Sequence, residues 1–496
     1  MSKNRLNLVT LGIMLSLFLA SMEGTVVATA MPTIVGQLGG LSIYSWVFSI
    51  YMLASTTTVP IYGKLSDLYG RKRVYAFSMI LFLAGSILCG QAQNMEQLIL
   101  FRGIQGLGAG GVLPLAFTII GEIFDLEQRA RMQGLFSGVW GVSSVIGPLI
   151  GGFLVDQVTW HWVFLINVIP GSLALGLVWF AWQSSLPARK GKVSVDYAGA
   201  GLLTLAALCL LLGLDELGTP LSWVLLAAFL ILTVLLLRVE RRAADPMLPL
   251  HLFADRLFNV TILHGIFAGW AMFGSLSYVP LFVQAVLGTS ATQAGITMTP
   301  MSLAWTLASI LGGRLLLKIG YRTLALFGMV MLCAGTFLMT LINTQSSQIM
   351  IMVNVSLMGI GMGLSVPAFL IAVQSTVRKQ DLGAATSTVQ FSRSIGGTLG
   401  VSVLGAVLSS GLASRLLTAG IDPTSVSLDS LIDPVAASGT PLISEPLREA
   451  LSASTASLFV FASVAAVLGL VAVMFAPGGR IAQLMERKLV KDSTRP

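Results

Sequence analysis

The sequence predicts an all-α polytopic membrane protein with fourteen transmembrane helices, arranged as two six-helix bundles plus two extra spans. Three observations support this fold class. Hydrophobic residues make up 55% of the 496 residues and charged residues only 10%, against about 25% charged in a typical soluble domain. Apolar runs long enough to cross a bilayer recur along the whole chain, and a glycine pattern of the first half returns in the second half. The composition excludes disordered scaffolds, disulfide-stapled secreted domains and nucleic-acid binders with a basic surface.

The apolar runs define the predicted spans, because a bilayer-crossing helix needs about 20 mostly apolar residues. The fourteen runs are 7–31, 44–62, 74–91, 97–121, 133–155, 162–183, 197–214, 221–238, 257–284, 291–312, 323–342, 348–373, 385–411 and 455–476.

These spans divide the chain into consecutive units. An N-terminal six-helix bundle occupies residues 1–183, and an extra helix pair with its linkers occupies 184–256. The C-terminal six-helix bundle covers 257–476 and contains an outer loop at 412–454, and residues 477–496 form a tail.

The distribution of basic residues predicts the orientation. With fourteen spans, 25 of the 29 lysines and arginines fall on the side of the two termini, and only Arg415 and Arg448 fall in the opposite loops. Lysine and arginine are enriched in cytoplasmic loops, so both termini are predicted to be cytoplasmic. A cleavable signal peptide is the alternative interpretation of the start of the chain, but the apolar run is too long for one and contains Glu23.

Internal similarity is the third observation. Four residues of span 4 and two glycines of span 5 have counterparts exactly 253 positions later, and the paired glycines after span 2 have counterparts 250 positions later. The pairs are Gly106 and Gly359, Gly108 and Gly361, Gly110 and Gly363, Pro114 and Pro367, Gly147 and Gly400, Gly152 and Gly405, Gly63 and Gly313, and Gly70 and Gly320. Both copies face the same way, which is the arrangement of parallel repeats in secondary transporters.

Several motifs resemble those of the major facilitator superfamily and, within it, of the fourteen-span drug:proton antiporters. The run GKLSDLYGRKR at 63–73 resembles the superfamily signature of the loop after span 2, and GPLIGG at 147–152 resembles the antiporter signature of span 5. The span 1 run EGTVV at 23–27 is similar to the motif of the fourteen-span branch, with Glu where that branch usually has Asp, and WHW at 160–162 is similar to its span 6 entrance. The resemblance implies a major-facilitator-type fold and drug export driven by protons.

Glu23 is the only carboxylate in a predicted span. Burial favours its protonated form and a nearby cation its ionised form, so we expect Glu23 to be a proton-coupling residue; a purely structural partner of a buried cation is the alternative. Arg102 in span 4 is its expected partner because spans 1 and 4 are neighbours in the fold that the chain resembles, with Gln105 on the same face. Alternatively, Arg102 extends towards the membrane surface.

A gate is predicted from Gly63, Asp67, Gly70 and Arg71, where the glycines permit a tight turn and Asp67 meets Arg71 or a helix N-terminus. A plain solvated loop is the alternative. The pair Gly147 and Pro148 is expected to loosen span 5.

The predicted substrate site is less well defined. Arg393 in span 13 has no acidic partner in its own half and could bind backbone carbonyls or an anionic group of a substrate. His264 could relay protons or be a structural histidine. Five apolar side chains could line a cavity for drug-like cations or pack ordinarily; they are Trp140, Trp270, Met272, Phe273 and Tyr278.

The function expected from these features is proton-coupled efflux of lipophilic, cationic compounds by a monomeric multi-pass protein of a bacterial plasma membrane. The alternative is export of a lipid, siderophore or other amphiphilic metabolite. No phosphate-binding GxxxxGK[ST] run is present, and the three histidines and three cysteines are scattered, so no enzymatic activity, metal or other cofactor is expected. The expected partners are small lipophilic molecules, protons and the lipid bilayer, and no nucleic acid.

Overall fold

The regular secondary structure of the described residues is helical throughout. The structure, a computed structural model, describes residues 2–39, 43, 46–182, 196–243, 246, 248, 250–289, 291–418 and 445–478. The α-helices are α1 (Lys3–Leu38), α2 (Trp46–Tyr69), α3 (Arg71–Cys89), α4 (Met95–Ile123), α5 (Leu126–Gln157), α6 (Trp162–Leu165), α7 (Val168–Ala181), α8 (Tyr197–Asp215), α9 (Pro220–Glu240), α10 (Arg256–Leu281), α11 (Ala291–Ile319), α12 (Tyr321–Met339), α13 (Gln348–Thr376), α14 (Leu382–Thr418) and α15 (Glu445–Met474).

Within these residues, twelve segments are long and apolar enough to cross a membrane, and α6 and α7 together form one of them. The helices α2 and α5, of 24 and 32 residues, stand where spans 2 and 5 are expected. Helix α2 is less apolar than the twelve because it carries a run of threonines at 56–58. In α5 the side chains at 144, 145, 148 and 156 lie outside the described residues, and the twelve segments are drawn from the described residues alone. The all-helical transporter-like architecture is therefore observed with twelve candidate spans.

Glycines let α4 approach its neighbours at backbone distance. A Cβ atom at Gly108 would lie 2.2 Å from the backbone nitrogen of Phe82 in α3, and one at Gly106 would lie 2.7 Å from the carbonyl oxygen of Tyr51 in α2. Such close contacts need a residue without a side chain. They hold α2, α3 and α4 together in the N-terminal bundle.

The C-terminal bundle repeats these contacts at the predicted offset. A Cβ at Gly361 would lie 2.7 Å from the carbonyl oxygen of Gly328 in α12, and one at Gly359 would lie 2.3 Å from that of Met301 in α11. The sequence repeat is thus confirmed as a structural repeat, since α4 and α13 use equivalent glycines against equivalent neighbours.

Near one end of the molecule the two bundles meet. Arg71, Arg129 and Lys379 lie at this end, which we name the basic end. There α5 contacts α11, where a Cβ at Gly313 would lie 2.4 Å from the carbonyl oxygen of Ala130, and α2 contacts α14. The two bundles are therefore in contact at the basic end, through α2 with α14 and α5 with α11.

The extra pair, α8 and α9, packs beside the bundles. A hydrogen bond from Ser222 Oγ to the carbonyl oxygen of Gly213 (2.6 Å) joins the two helices. Leu211 of α8 belongs to a small buried cluster with Leu53 of α2 and Ile395 of α14. The inserted pair thus contacts both bundles along the α2–α14 seam.

The outer loop is shorter at both ends than the predicted range 412–454. Helix α14 continues to Thr418 and α15 begins at Glu445, because Arg415 binds the hydroxyls of Ser454 and Ser457 and thereby ties the two helices together. Residues 419–444 and most of the predicted tail, 479–496, lie outside the described residues.

Replacing Gly108 by alanine is expected to destabilise the fold by about 1–3 kcal/mol, because the new methyl group overlaps the α3 backbone. The thermal unfolding midpoint of the purified protein in detergent measures this effect. Gly176→Ala is the matched control, since no atom lies within 4 Å of a Cβ at that helical position. Equal midpoints for the two variants would contradict the packing described for α3 and α4.

Candidate functional site

Glu23 lies in α1 inside the N-terminal bundle, and its side chain is 1% exposed. Its Oε1 atom lies 2.6 Å from Nη1 of Arg102 in α4, which is also 1% exposed. The predicted partnership is therefore present in the geometry. The alternative in which Arg102 extends towards the membrane surface is wrong, because the pairing holds the guanidinium in the bundle interior.

Two amides complete the surroundings of the Glu23 carboxylate. Gln105 donates from Nε2 to Oε1 (2.9 Å), and Asn167 donates from Nδ2 to Oε2 (2.6 Å). Both amides also donate to the hydroxyl of Ser86 in α3, at 2.8 and 3.3 Å. The described partners of Glu23 are thus hydrogen-bond donors, an arrangement that stabilises the ionised carboxylate.

The Arg102 guanidinium has three contacts in addition to its ion pair with Glu23. Its Nε donates to the carbonyl oxygen of Val47 (3.1 Å), and its Nη1 donates to Oε1 of Gln105 (2.8 Å). The guanidinium carbon lies 4.0 Å from the ring centroid of Tyr51, within the range of a cation–π contact. A buried cation with this many partners has one orientation, and so does the carboxylate that it binds.

Sequence reasoning missed three members of this cluster as site residues. Asn167 lies five residues after the WHW run, and Ser86 and Tyr51 belong to no motif. An asparagine inside an otherwise apolar span is a usable signal, because such residues need a partner. The break between α6 and α7 falls at Asn167 and directs its amide towards α1.

The predicted gate residues form a contact between the bundles at the basic end. Asp67 accepts hydrogen bonds from the backbone N–H groups of Gly383 (3.0 Å) and Ala384 (2.8 Å), at the start of α14. Arg71 donates to Asp67 at 3.2 Å. Both partners foreseen for Asp67, an arginine and a helix N-terminus, are thus found, and the solvated-loop alternative is wrong.

Arg71 also connects the gate to other elements. Its Nη1 lies 2.6 Å from Oε2 of Glu122 at the end of α4, and its Nη2 donates to the carbonyl oxygen of Lys379 (2.6 Å). Gly70 has a φ of 91°, a conformation that favours glycine, and it directly precedes α3. The tight turn therefore places Arg71 between α2, α4 and the segment before α14.

Gly63 is the point of closest approach in the gate. A Cβ there would lie 1.8 Å from the Ser387 hydroxyl and 2.7 Å from the carbonyl oxygen of Gly383. A Cβ at the equivalent Gly313 would lie 2.4 Å from the Ala130 carbonyl oxygen in α5. The same glycine thus seals the α2–α14 contact and, in the second copy, the α5–α11 contact.

The span 5 motif has a packing role in the structure. A Cβ at Gly147 would lie 2.1 Å from the Thr25 hydroxyl of α1, next to Glu23 in sequence. Helix α5 is continuous through position 148, and the side chain of Pro148 lies outside the described residues. The predicted loosening of span 5 stays a prediction.

The expected substrate-contacting aromatics do not adjoin the Glu23 cluster. Three of them lie on the α10–α14 seam, where Trp270 and Phe273 pack on Gly400 and Gly397 and the Tyr278 hydroxyl donates to the Val401 carbonyl oxygen (2.7 Å). Met272 is fully buried among core residues, whereas Trp140 of α5 is exposed. A role in substrate contact stays a prediction for all five.

His264 and Arg393 lie in the C-terminal bundle, on α10 and α14. The His264 ring contacts Phe369 with centroids 4.8 Å apart, and its Nε2 has no hydrogen-bond partner among the described residues. Arg393 lies within electrostatic reach of His264. The two side chains are therefore neighbours, remote from the Glu23 cluster in the other bundle.

Comparison with known proteins places these features in a family. The sequence profile of the Major Facilitator Superfamily matches residues 13–401. The chain is 41% identical over 435 residues to the multidrug transporter protein MdtP of Bacillus subtilis (strain 168), covering 86% of this chain and 79% of that protein. It is 36% identical to multidrug resistance protein 3 of the same organism, covering 95% of each.

Solved structures share the fold at low identity. The proton:xylose symporter XylE has a TM-score of 0.64 and 13% identity, covering 98% of this chain and all of that one. The human organic anion transporter MFSD10 has a TM-score of 0.61 and 13% identity, covering 94% of this chain and all of that one.

Replacing Arg102 alone by glutamine is expected to destabilise the protein by about 3–5 kcal/mol, because it leaves a buried carboxylate without its cation. Adding Glu23→Gln should recover a large share of that loss. The penalty of the single variant should also shrink as the pH falls, because protonation then neutralises Glu23.

Thermal unfolding of the single and double variants across pH measures this coupling. Arg131→Gln is the control, since Arg131 is 70% exposed and pairs with an exposed Glu127. A double variant no more stable than Arg102→Gln would refute a net electrostatic role of the pair.

Proposed function

The chain belongs to the Major Facilitator Superfamily, and from this membership we propose that it is a proton-coupled exporter of lipophilic compounds, with cations among them, that works by alternating access. Transporters of this superfamily bind small-molecule substrates and are not enzymes. Relatives named as a multidrug transporter and as efflux pumps support export as the direction of transport. The observation that carries proton coupling is the buried pair of Glu23 and Arg102.

The pair supplies a proton switch. With Glu23 ionised, the two charges cancel, whereas protonation of Glu23 leaves the cluster with the positive charge of Arg102. At about 10 Å and an effective dielectric constant of about 20, a second cation is then repelled by about 1–2 kcal/mol. A proton on Glu23 therefore disfavours a cationic substrate nearby without direct contact between them, which suits a carboxylate already surrounded by donors.

The gate supplies the alternation of access. Asp67, Arg71 and Gly63 close the bundles against each other at the basic end. Separation of the bundles there must break the bonds from Asp67 to the start of α14. We assign the structure to the state in which the substrate pathway is closed at the basic end.

The membrane arrangement follows from the same proposal. The helices α2 and α5 cross the bilayer with the twelve candidate spans, giving fourteen. The basic end is cytoplasmic, by the excess of lysine and arginine, and so are both termini. The protein acts as a monomer in a bacterial plasma membrane, in contact with lipid, and uses the proton gradient without a cofactor.

Export of an amphiphilic metabolite is the second candidate function. One observation favours it: Arg393 offers a positive charge in the C-terminal bundle, where the predicted spans contain no carboxylate. A purely cationic substrate would make no favourable electrostatic contact with that positive charge.

Glu23→Gln is expected to abolish efflux driven by a pH gradient, because the variant cannot bind or release a proton at this position. The experiment uses proteoliposomes loaded with ethidium and a gradient of about one pH unit, worth about 1.4 kcal/mol. Exchange of ethidium at equal pH should persist with an affinity weakened roughly tenfold, because the variant leaves the charge of Arg102 uncompensated and so repels the cation.

Glu127→Gln, which alters an exposed carboxylate at the start of α5, is the comparison variant for this experiment, and it should keep gradient-driven efflux. Unchanged efflux by Glu23→Gln would reject proton coupling at this carboxylate.

Gly63→Val is expected to hold the bundles apart at the basic end, because its side chain occupies the space of Ser387 and Gly383. A cysteine at position 387, in a protein without Cys89, Cys209 and Cys333, should then react several times faster with a membrane-impermeant maleimide added from the cytoplasmic side. Gly152→Val is the control, since no atom lies within 4 Å of a Cβ there. Equal labelling rates would contradict the gate.

A further inference from the structure

Arg393 is a cation inside a predicted membrane span, and it has no partner among the described residues. No hydrogen bond or ion pair joins its guanidinium to another described residue, and the side chain keeps an intermediate exposure to solvent. The sequence offers no carboxylate within the predicted spans of the C-terminal half. An arginine within a membrane span carries a large free-energy cost unless a partner or an aqueous cavity compensates it.

The contrast with two other arginines is direct. Arg102 has Glu23 as its counter-ion, and Arg415, on the same helix as Arg393, donates to the hydroxyls of Ser454 (3.1 Å) and Ser457 (2.9 Å). Backbone carbonyls, the structural alternative for Arg393, provide no such bond among the described residues. Within the part of the chain that the structure describes, Arg393 thus has no structural partner.

The backbone around Arg393 is nevertheless fixed. A Cβ at Gly269 of α10 would lie 2.3 Å from the Arg393 carbonyl oxygen, and one at Gly265 would lie 2.4 Å from the Ser392 hydroxyl. The packing of α10 against α14 thus fixes the backbone of Arg393, whereas its guanidinium has no partner among the described residues. A side chain whose backbone is fixed and whose guanidinium is unpaired among the described residues is suited to bind a ligand.

Two further unpaired polar atoms accompany Arg393. His264, 2% exposed and within its electrostatic reach, has no hydrogen-bond partner for Nε2 among the residues that the structure describes. Gln390, 7% exposed and one turn before Arg393 on the same helix face, has none for Oε1. Buried polar atoms without partners cost free energy, and a ligand with polar groups would satisfy them.

We propose that Arg393 binds a carboxylate of the exported compound, with His264 and Gln390 as neighbouring polar contacts. This inference rests on the proposed export function and specifies its substrate class as amphiphilic compounds that carry an acidic group. The planar guanidinium matches a carboxylate with two parallel hydrogen bonds. A substrate that also has a positive group is compatible with the N-terminal bundle when Glu23 is ionised, because the charges of Glu23 and Arg102 then cancel.

This substrate class changes the charge balance of transport. Exchange of one proton for one monovalent cation moves no net charge, whereas exchange of one proton for a zwitterion moves one positive charge with the proton. The membrane potential then contributes about 2.3 kcal/mol per 100 mV to export.

A matched pair of dyes tests the inference. Rhodamine 110 has a free carboxyl group, and rhodamine 123 is its methyl ester. Fluorescence polarisation of the full-length protein in detergent gives Kd for each dye. Arg393→Gln should weaken rhodamine 110 binding about tenfold and leave rhodamine 123 binding within about twofold, and Arg393→Lys should lose less.

Arg415→Gln is the control and should change neither affinity. Retained rhodamine 123 binding shows that the Arg393 variants are folded. Equal effects of Arg393→Gln on both dyes, no effect on either, or failure of the unchanged protein to bind rhodamine 110 would each overturn the inference. No gradient is present in this experiment, so its outcome is separate from that of the Glu23 efflux experiment.

Discussion

The carboxylate of Glu23 can be charged inside the N-terminal bundle because a guanidinium and two amides surround it. Removal of any charge from this cluster changes its net charge by one unit in a medium where water does not screen it. Five helices converge to build the cluster: α1, α2, α3, α4 and the start of α7. The charge of one side chain therefore acts on contacts among all five helices.

Helix α4 connects this cluster to the gate. It carries Arg102 and Gln105 towards one end and Glu122, the partner of Arg71, at the other. At 1.5 Å per residue, these ends are about 30 Å apart along one continuous helix. Glycines on the same helix keep it in backbone contact with α2 and α3. A shift of α4 on protonation of Glu23 would therefore reach the gate without an intermediate element.

Most of this architecture could be predicted from the amino-acid sequence. The offset of 253 residues between Gly108 and Gly361 predicted the repeated helix contacts, and one acidic residue among apolar runs marked Glu23. The gate around Asp67 was also predictable, since its motif pairs glycines with charges. These features were visible because they depend on rare residues in apolar surroundings.

Other features depend on long-range packing and had no local signal. Ser86 looks like any serine in a span, and its two amide donors come from α4 and from the α6–α7 break. The helical extension to Thr418 depends on contacts of Arg415 with α15, which hydropathy does not register. The position of α8 against both Leu53 and Ile395 likewise follows from the fold of the whole chain.

Proton release on substrate binding tests the central claim most directly. Ethidium is added to the detergent-solubilised protein in weakly buffered solutions over a series of pH values, and the change in pH is recorded. The account predicts release of up to one proton per protein molecule, and none from Glu23→Gln. Ethidium binding without proton release at any pH, or equal release from Glu23→Gln, would contradict it.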